Sequence, residues 1–414
     1  MPLLPILAIS AAATLPPTAT AAPTATGTEV VVGVDEGVPP KGDPIDALVR
    51  RALDEDPTLA AAMARIRAAD AAASLAGTPM SPMVSAEAMV GGMGMASVDL
   101  MAEQPLMAPG SLRAGRAMGR ATISLADAEA EGAALALEGR IRASAAMYAS
   151  AQARIALLTE ARQAAFATTA TARAMVTTGM GGTGEQAMVA MNVAAIDERL
   201  AVARQEAAMA RATLARAVPD VPDTLPLGAL PAGAPPPGDA PMVVIMEAMR
   251  QMAQANRDMA RADRLPALTI SGGVSIRTAN MGGSMGIFGL SSDVPLYGRQ
   301  RARLDAAVAA LDAAGADIDA ARREVAAEQA AMATDLDALR DRVDAARRMS
   351  QAARTQAESA RSAYVHGQAG LEAWVAATQR VRDADEMEGM ARAEALGTYA
   401  TLAAMLGTSL LESP

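Results

Sequence analysis

The residues that punctuate one half of this chain recur in the other half, displaced by about 188 positions. Gly110-Ser111-Leu112-Arg113-Ala114 returns as Gly298-Arg299-Gln300-Arg301-Ala302, Gly179 falls on Gly367, and Leu214-Ala215 falls on Leu402-Ala403. Small slips leave Pro79 opposite Pro266, Pro105-Leu106 opposite Pro295-Leu296, and Met188-Val189-Ala190 opposite Trp374-Val375-Ala376. A sequence written twice over such a length builds two matched sets of elements, so a pseudo-symmetric object is expected. Each copy reads in one order: a helix, a Gly/Met-rich stretch of about 34 residues with strand character, a helix of roughly 60 residues, a Gly turn and a shorter helix.

Composition narrows what those elements pack into. Alanine dominates, and only one Trp, four Tyr and two Phe are present. Buried side chains are therefore small, which favours long paired helices in close approach over a thick core. A net charge of −10 argues against nucleic acid as a partner, since phosphate binding needs clustered Lys and Arg. The absence of cysteine excludes disulfides, thiolate metal sites and thiol catalysis. The first 28 residues carry no charge, and Leu3 to Ala13 is apolar and followed by the small-residue site Ala19-Thr20-Ala21. Residues 1–21 read as a secretory signal, with a disordered Ala/Pro/Thr leader as the alternative. No later run of eighteen uncharged apolar residues can span a bilayer as a helix. A membrane crossing by this chain would use strands.

Along the chain, Asp46 to about Gly77 is helical, with a break at Asp54-Glu55-Asp56-Pro57. Val84 to Ala88 and Ser97 to Leu100 alternate around Gly91-Gly92-Met93-Gly94, which predicts a hairpin. Leu268 to Ser271 and Ile287 to Leu296, around Asn280-Met281-Gly282-Gly283, predict a second one. Leu304, Leu311, Ile318, Val325, Met332 and Leu339 recur every seven residues, with Val308, Leu336 and Val343 as companions. That strict period is a coiled-coil seam. Leu137, Ile141, Tyr148, Ile155 and Leu158 keep a similar seam in the first copy. The boundaries are therefore a signal at 1–21, an extended leader at 22–45, a first repeat at 46–217, and a second repeat at 242–407. The hairpins fall at 79–112 and 266–299, and the reversals near 179 and 367. Residues 218–241 hold eight prolines and form a semi-rigid connector, and 408–414 is a tail.

These pieces resemble, over residues 46–407, the TolC-type outer membrane factors, the exit ducts of tripartite efflux and type I secretion systems. The likeness rests on Ala52 to Leu59 opening the first helix, on Glu103-Gln104-Pro105-Leu106 with Gly110, and on Asp293-Val294-Pro295-Leu296. Tyr364 to Trp374 at the second reversal completes it. Gln-Pro-Leu followed by Pro-Gly-Ser-Leu-Arg looks more like the heavy-metal efflux branch than the drug branch. The resemblance implies four strands per protomer and a homotrimer closing a twelve-stranded barrel in outer membrane lipid. It implies long periplasmic helices forming a coiled-coil barrel, and a mainly α fold with membrane β. It also implies a periplasmic adaptor (membrane fusion) protein and an inner-membrane pump as partners, with no cofactor and no nucleic acid. Closure across subunits has a physical reason, because lipid tolerates no unpaired strand edge.

By the same resemblance the adaptor meets the helix reversals, at Gly179, Thr183, Gly184 and Glu185 in the first copy and His366, Gly367, Leu371 and Glu372 in the second. A turn there also accounts for the glycines without any partner. Members often carry aspartates just past this turn as a closing ring. Ala373 to Ala376 has none, leaving Glu185 and Glu372 as the carboxylates for a gate. Of 28 methionines, seven lie in the first hairpin region. Met89, Met93, Met95, Met281 and Met285 could hold Cu(I) or Ag(I) as soft thioethers, or simply replace leucine in an alanine-rich chain. His366 is the sole histidine, so neither an imidazole zinc cluster nor a Ser-His-Asp triad is expected. The expected function is a passive outer membrane duct of a tripartite efflux system without enzyme activity, for heavy metal ions or small toxic compounds, with a type I secretion exit duct or a soluble coiled-coil scaffold as the rival readings.

Overall fold

The computed structural model describes residues 43–411 apart from 77, 91–95, 109, 178–182, 279–282 and 294–297. The signal expected at 1–21 and nearly all of the leader at 22–45 lie outside the described residues. The elements are α1 (Pro44–Glu55), α2 (Pro57–Ala76), β1 (Met83–Val90), β2 (Ala96–Leu106), α3 (Ser111–Thr177), α4 (Thr183–Ala215), α5 (Pro241–Ala262), β3 (Ala267–Thr278), β4 (Gly283–Asp293), α6 (Arg299–Val365) and α7 (Leu371–Met405). They group into two compact units, each drawing chain from both halves of the sequence. The described part of the first is Ala69–Thr122 with Arg250–Ala313. The second is Gly42–Ala68, Ile123–Met249 and Ala314–Pro414.

The first unit is built on one antiparallel sheet in the order β1-β2-β3-β4. Two hairpins were expected from the alternation of polar and apolar residues. The structure adds the ladder between them, β2 to β3, running from Ala96 opposite Thr278 to Leu106 opposite Leu268. Residues more than 160 apart in sequence thus share one sheet through eleven paired positions, as many as β3 shares with β4.

The second unit is helical, and its helices start where the sequence supplies caps. Asp43 accepts the amide of Ile45 at 3.0 Å with Pro44 in the first turn of α1. Asp56 ends α1 and caps α2, accepting the Thr58 amide at 2.7 Å and the Thr58 hydroxyl. Burial raises the Asp56 pKa, but the hydrogen bonds from Thr58 outweigh it and hold the carboxyl below its usual value. The seams face inward: Leu137, Ile141, Tyr148 and Leu158 on α3, and Ile318, Val325, Leu336 and Leu339 on α6, are all buried.

The proline-rich connector is pinned against this unit at many points. Val218, Val221 and Leu225 enter a cluster with Leu137, Ile141, Tyr148 and α1 residues Leu48 and Val49. Gln152 of α3 accepts the Leu225 amide at 2.9 Å and donates to the Asp223 carbonyl. Arg340 of α6 donates to the carbonyls of Pro231 and Gly233, and Arg392 of α7 to that of Gly228. The tail is held as well. Gly407 has φ of 74°, and a Cβ there would lie 2.0 Å from the Asp239 carbonyl oxygen, so only glycine lets the chain leave α7 beside the connector.

Glu138 ties these parts together. It is 4% exposed, accepts from Arg142 at 2.8 Å, from the Ser409 hydroxyl at 2.8 Å and from the Leu410 amide at 3.0 Å. Arg142 in turn reaches Asp46 of α1 at 2.7 Å. Glu138→Ala therefore leaves the Ser409 hydroxyl and the Leu410 amide without their acceptor and the half-buried Arg142 guanidinium with Asp46 alone. It is expected to lower stability by about 3 kcal/mol in a denaturant titration, whereas Glu129→Ala, which takes part in no such cluster, shifts the midpoint little.

Candidate functional site

Residues directly opposite in a ladder share a face, so the register sorts every strand residue to one side of the sheet. One row runs Glu87, Asp99, Ser275, Met285; the rows beside it add Ser85, Met101, Gly273 and Ile287, and Met89, Ser97, Arg277 and Gly283. The charged strand residues Glu87, Asp99, Glu103 and Arg277 fall on this face. The other face carries Val84, Ala88, Val98, Leu100, Leu106, Leu268, Ile270, Val274, Ile276, Phe288 and Leu290. It is bare: Phe288 is 91% exposed, Val84 76% and Leu290 71%. Gln104, Ser284 and Ser292 are polar residues on that face, and the Gln104 amide is satisfied by the carbonyls of Met80 and Pro105. A predominantly apolar sheet face of this kind needs an apolar environment, and its polar reverse an aqueous one.

A second constellation sits in the helical unit, where α6 reverses into α7. Gly367 has φ of 70°, its amide donates to the Tyr364 carbonyl at 3.0 Å, and the Gln368 amide donates to that of Ala363 at 2.8 Å. These two bonds close a Schellman motif, which requires the left-handed conformation that glycine adopts freely. His366, Gly367 and Glu372 are exposed on the turn. The His366 ring nitrogen Nδ1 lies 2.7 Å from the Ser362 carbonyl. Leu371, expected as a surface contact, is instead 1% exposed and packs with Val189, Tyr364 and Val375. The Tyr364 and Trp374 rings stack 5.5 Å apart at 29°.

In the first copy Gly179 lies outside the described residues. Thr183 opens α4, Gly184 is exposed, and Glu185 is half-buried with Oε2 lacking a hydrogen-bond partner among the described residues. Burial, and then the nearby Glu185 charge, push the Tyr364 phenol above its usual pKa. Of the proposed gate carboxylates, Glu185 thus leans into the reversal's core while Glu372 faces outward. Met93, Met95 and Met281 lie outside the described residues. Met89 and Met285 share the polar face but belong to opposite edge strands, about 14 Å apart across three strand spacings. Thioethers at those two positions do not converge within the chain.

Sequence reasoning missed a polar seam between α3, α4 and α7. Arg154 reaches Glu206 at 2.7 Å and Glu386 at 3.0 Å, Arg199 pairs with Asp383, and Asn192 accepts from Gln379 and from Arg382 at 3.0 Å. Burial, and then repulsion from Arg199, lower the Arg382 pKa, while the hydrogen bond to Asp383 raises that of Arg199. The available signal was the run Arg380-Val381-Arg382-Asp383-Ala384-Asp385-Glu386, a concentration of both charge signs on an otherwise alanine-rich helix.

An antiparallel four-stranded sheet with segregated faces and two 67-residue helices, each followed by a shorter return helix, make up the fold. Solved structures share it. That of CusC aligns with a TM-score of 0.76 at 17% identity, covering 88% of this chain and 92% of that one. The outer membrane protein VceC of Vibrio cholerae gives 0.74 at 20%, covering 88% and 96%. The open state of the Neisseria gonorrhoeae MtrE outer membrane channel gives 0.76 at 19%, covering 88% and 89%. Residues 239–408 match the family model described as outer membrane efflux protein. The resemblance to outer membrane efflux proteins carried by the sequence motifs is thereby shown. No curated protein matches the chain.

The chain's single tryptophan reports on the reversal. Below about pH 10 the phenol is neutral in both folded and unfolded chains and Tyr364 packing contributes fully; this contribution is lost as pH rises through the raised folded value. Quenching of Trp374 fluorescence by tyrosinate should set in at higher pH in the native protein than in the denatured one. Equal onsets would show that the Tyr364 environment is not as described.

Proposed function

We propose that this chain is the outer membrane channel of a tripartite efflux assembly in a Gram-negative bacterium, with a large periplasmic portion. The segregation of the charged strand residues Glu87, Asp99, Glu103 and Arg277 to one face of the sheet carries this reading. Three copies closing their β1 and β4 edges give a twelve-stranded barrel whose apolar face meets lipid and whose polar face lines water. The doubled element order supports a pseudo-symmetric helical duct. The duct does no chemistry; export is driven by an inner-membrane pump coupled through a periplasmic adaptor. The adaptor meets the reversals through Gly184, Glu185, His366, Gly367 and Glu372, with Thr183 and Gly179 beside them. Leu371 acts from inside by holding the turn. Heavy metal ions such as Cu(I) or Ag(I), or small toxic compounds, are the cargo, and the placement of Met89 and Met285 on the water-lining face favours the metals.

Membrane fractionation and sizing of the detergent-extracted protein test the reading first: an outer-membrane trimer is expected, and a soluble species would promote the coiled-coil scaffold. Neighbouring substitutions then separate the two faces. Leu100→Arg, on the apolar side, should cost about 2–4 kcal/mol and block assembly into membranes, while Met101→Arg on the polar side assembles normally. Equal tolerance of both would refute the barrel. His366→Glu with Glu372→Arg should abolish export while trimers persist, and Met89→Leu with Met285→Leu should lower copper tolerance if the thioethers pass metal along the lumen.

A further inference from the structure

The sheet's helix-side margin is rich in arginine. Just past the ends of β2 and β4, α3 and α6 open with Arg113, Arg116 and Arg120, and with Arg299, Arg301 and Arg303, all exposed. The offset that relates the two halves sets Arg113 on Arg301, so the feature occurs in both copies. Cations in the first turns of a helix oppose its dipole, whose positive end lies there. No acidic residue occupies the first turn of either helix.

In the helical unit arginines are matched to carboxylates, as Arg142 is to Glu138 and Asp46, Arg154 to Glu206 and Glu386, and Arg354 to Asp385. In the sheet-bearing unit Arg257 pairs with its sequence neighbour Asp258. Arg113, Arg120, Arg299, Arg301 and Arg303 have no carboxylate at ion-pair distance among the described residues. The guanidinium-bearing residues Arg113, Arg116 and Arg120, with Ala73, Gly110 and Leu112, line an open hollow of about 750 Å³. Such a volume admits a group the size of a phospholipid head. The apolar face stops at Leu106 and Leu268, beside this margin. A chain carrying −10 overall thus concentrates positive charge where an apolar, membrane-type surface ends.

We propose that these arginines form a collar that seats the protein on anionic phospholipid headgroups at the helix-side surface of its membrane. This rests on the barrel reading above. Guanidinium groups bind phosphate in forked pairs, and their aliphatic stems lie along apolar surface while the heads stay in the interface. Neutralisation by lipid phosphate removes the cost that the helix dipoles impose, and makes assembly depend on the charge of the lipid.

The test is assembly of the purified full chain into vesicles of phosphatidylcholine alone or mixed with phosphatidylglycerol, read as trimer floating with vesicles after a urea wash. Assembly should be about tenfold greater with the anionic lipid at low salt, an advantage that shrinks in molar salt. The variant Arg113→Gln/Arg120→Gln/Arg301→Gln/Arg303→Gln should assemble into phosphatidylcholine like the unaltered protein and lose the anionic advantage, while the matching Lys variant keeps most of it. Arg322→Gln/Arg342→Gln, elsewhere on the surface, should change nothing. Unaltered protein that assembles equally in both lipids, or a Gln variant that retains the advantage, would overturn the collar and leave the barrel intact; arginines that serve an anionic solute in the lumen give this same result. Failure to enter either vesicle would overturn the barrel and the collar together.

Discussion

The ladder between β2 and β3 is the contact on which the sheet-bearing unit depends. Each hairpin alone is a two-stranded ribbon with one apolar side, marginal in water and unable to define a continuous surface. Pairing Leu100 with Val274 and Asp99 with Ser275 across that ladder brings two distant segments into one register. Because side chains alternate with a period of two, a slip by one residue would send Asp99 and Glu103 to the side now occupied by Val98 and Leu100. Register and amphipathicity therefore fix each other. Burial of like charges is avoided on one side, and a predominantly apolar, uncharged surface is created on the other.

The helical unit meets a different constraint, that of packing alanine. Small side chains let helices approach closely but supply little apolar area per residue. The larger residues are spent at the seams, and polar contacts reinforce the rest. Glu138 couples α3 to the tail and, through Arg142, to α1; Arg154 and Arg199 join α3 and α4 to α7; backbone carbonyls of the connector accept from Arg340 and Arg392. Such charged, half-buried bonds are costly to leave incomplete, so they favour one arrangement of otherwise interchangeable alanine surfaces.

The reversal at Gly367 shows how a local rule and a long-range contact combine. A Schellman turn needs only the local sequence and a left-handed glycine. Its rigidity comes from elsewhere: Val189 of α4 packs against Tyr364 and Leu371, and Glu185 lies close enough to raise the phenol's pKa. Exposed His366 and Glu372 are thereby presented on a turn whose interior is apolar. The turn and its exposed residues were legible from glycine placement. The inward role of Leu371 was not, because a leucine at the start of a helix is equally compatible with core and contact surface.

What the sequence by itself determined are features of short range or fixed period: the break at Asp56-Pro57, the seven-residue seam from Ile318 to Leu339, the glycine turn at 367, the two alternating hairpins, and the repeated order that contains them. Each follows from backbone stereochemistry or from side-chain periodicity, which act within a few turns. Tertiary structure alone decided the joining of β2 to β3, the anchoring of the connector, the inclusion of Glu138 with Ser409, and the pairing of Arg154 with Glu386. Those partners lie far apart along the chain, and any arginine among so many acidic residues has several plausible mates. Only when the backbone sets distance and burial does one of them win.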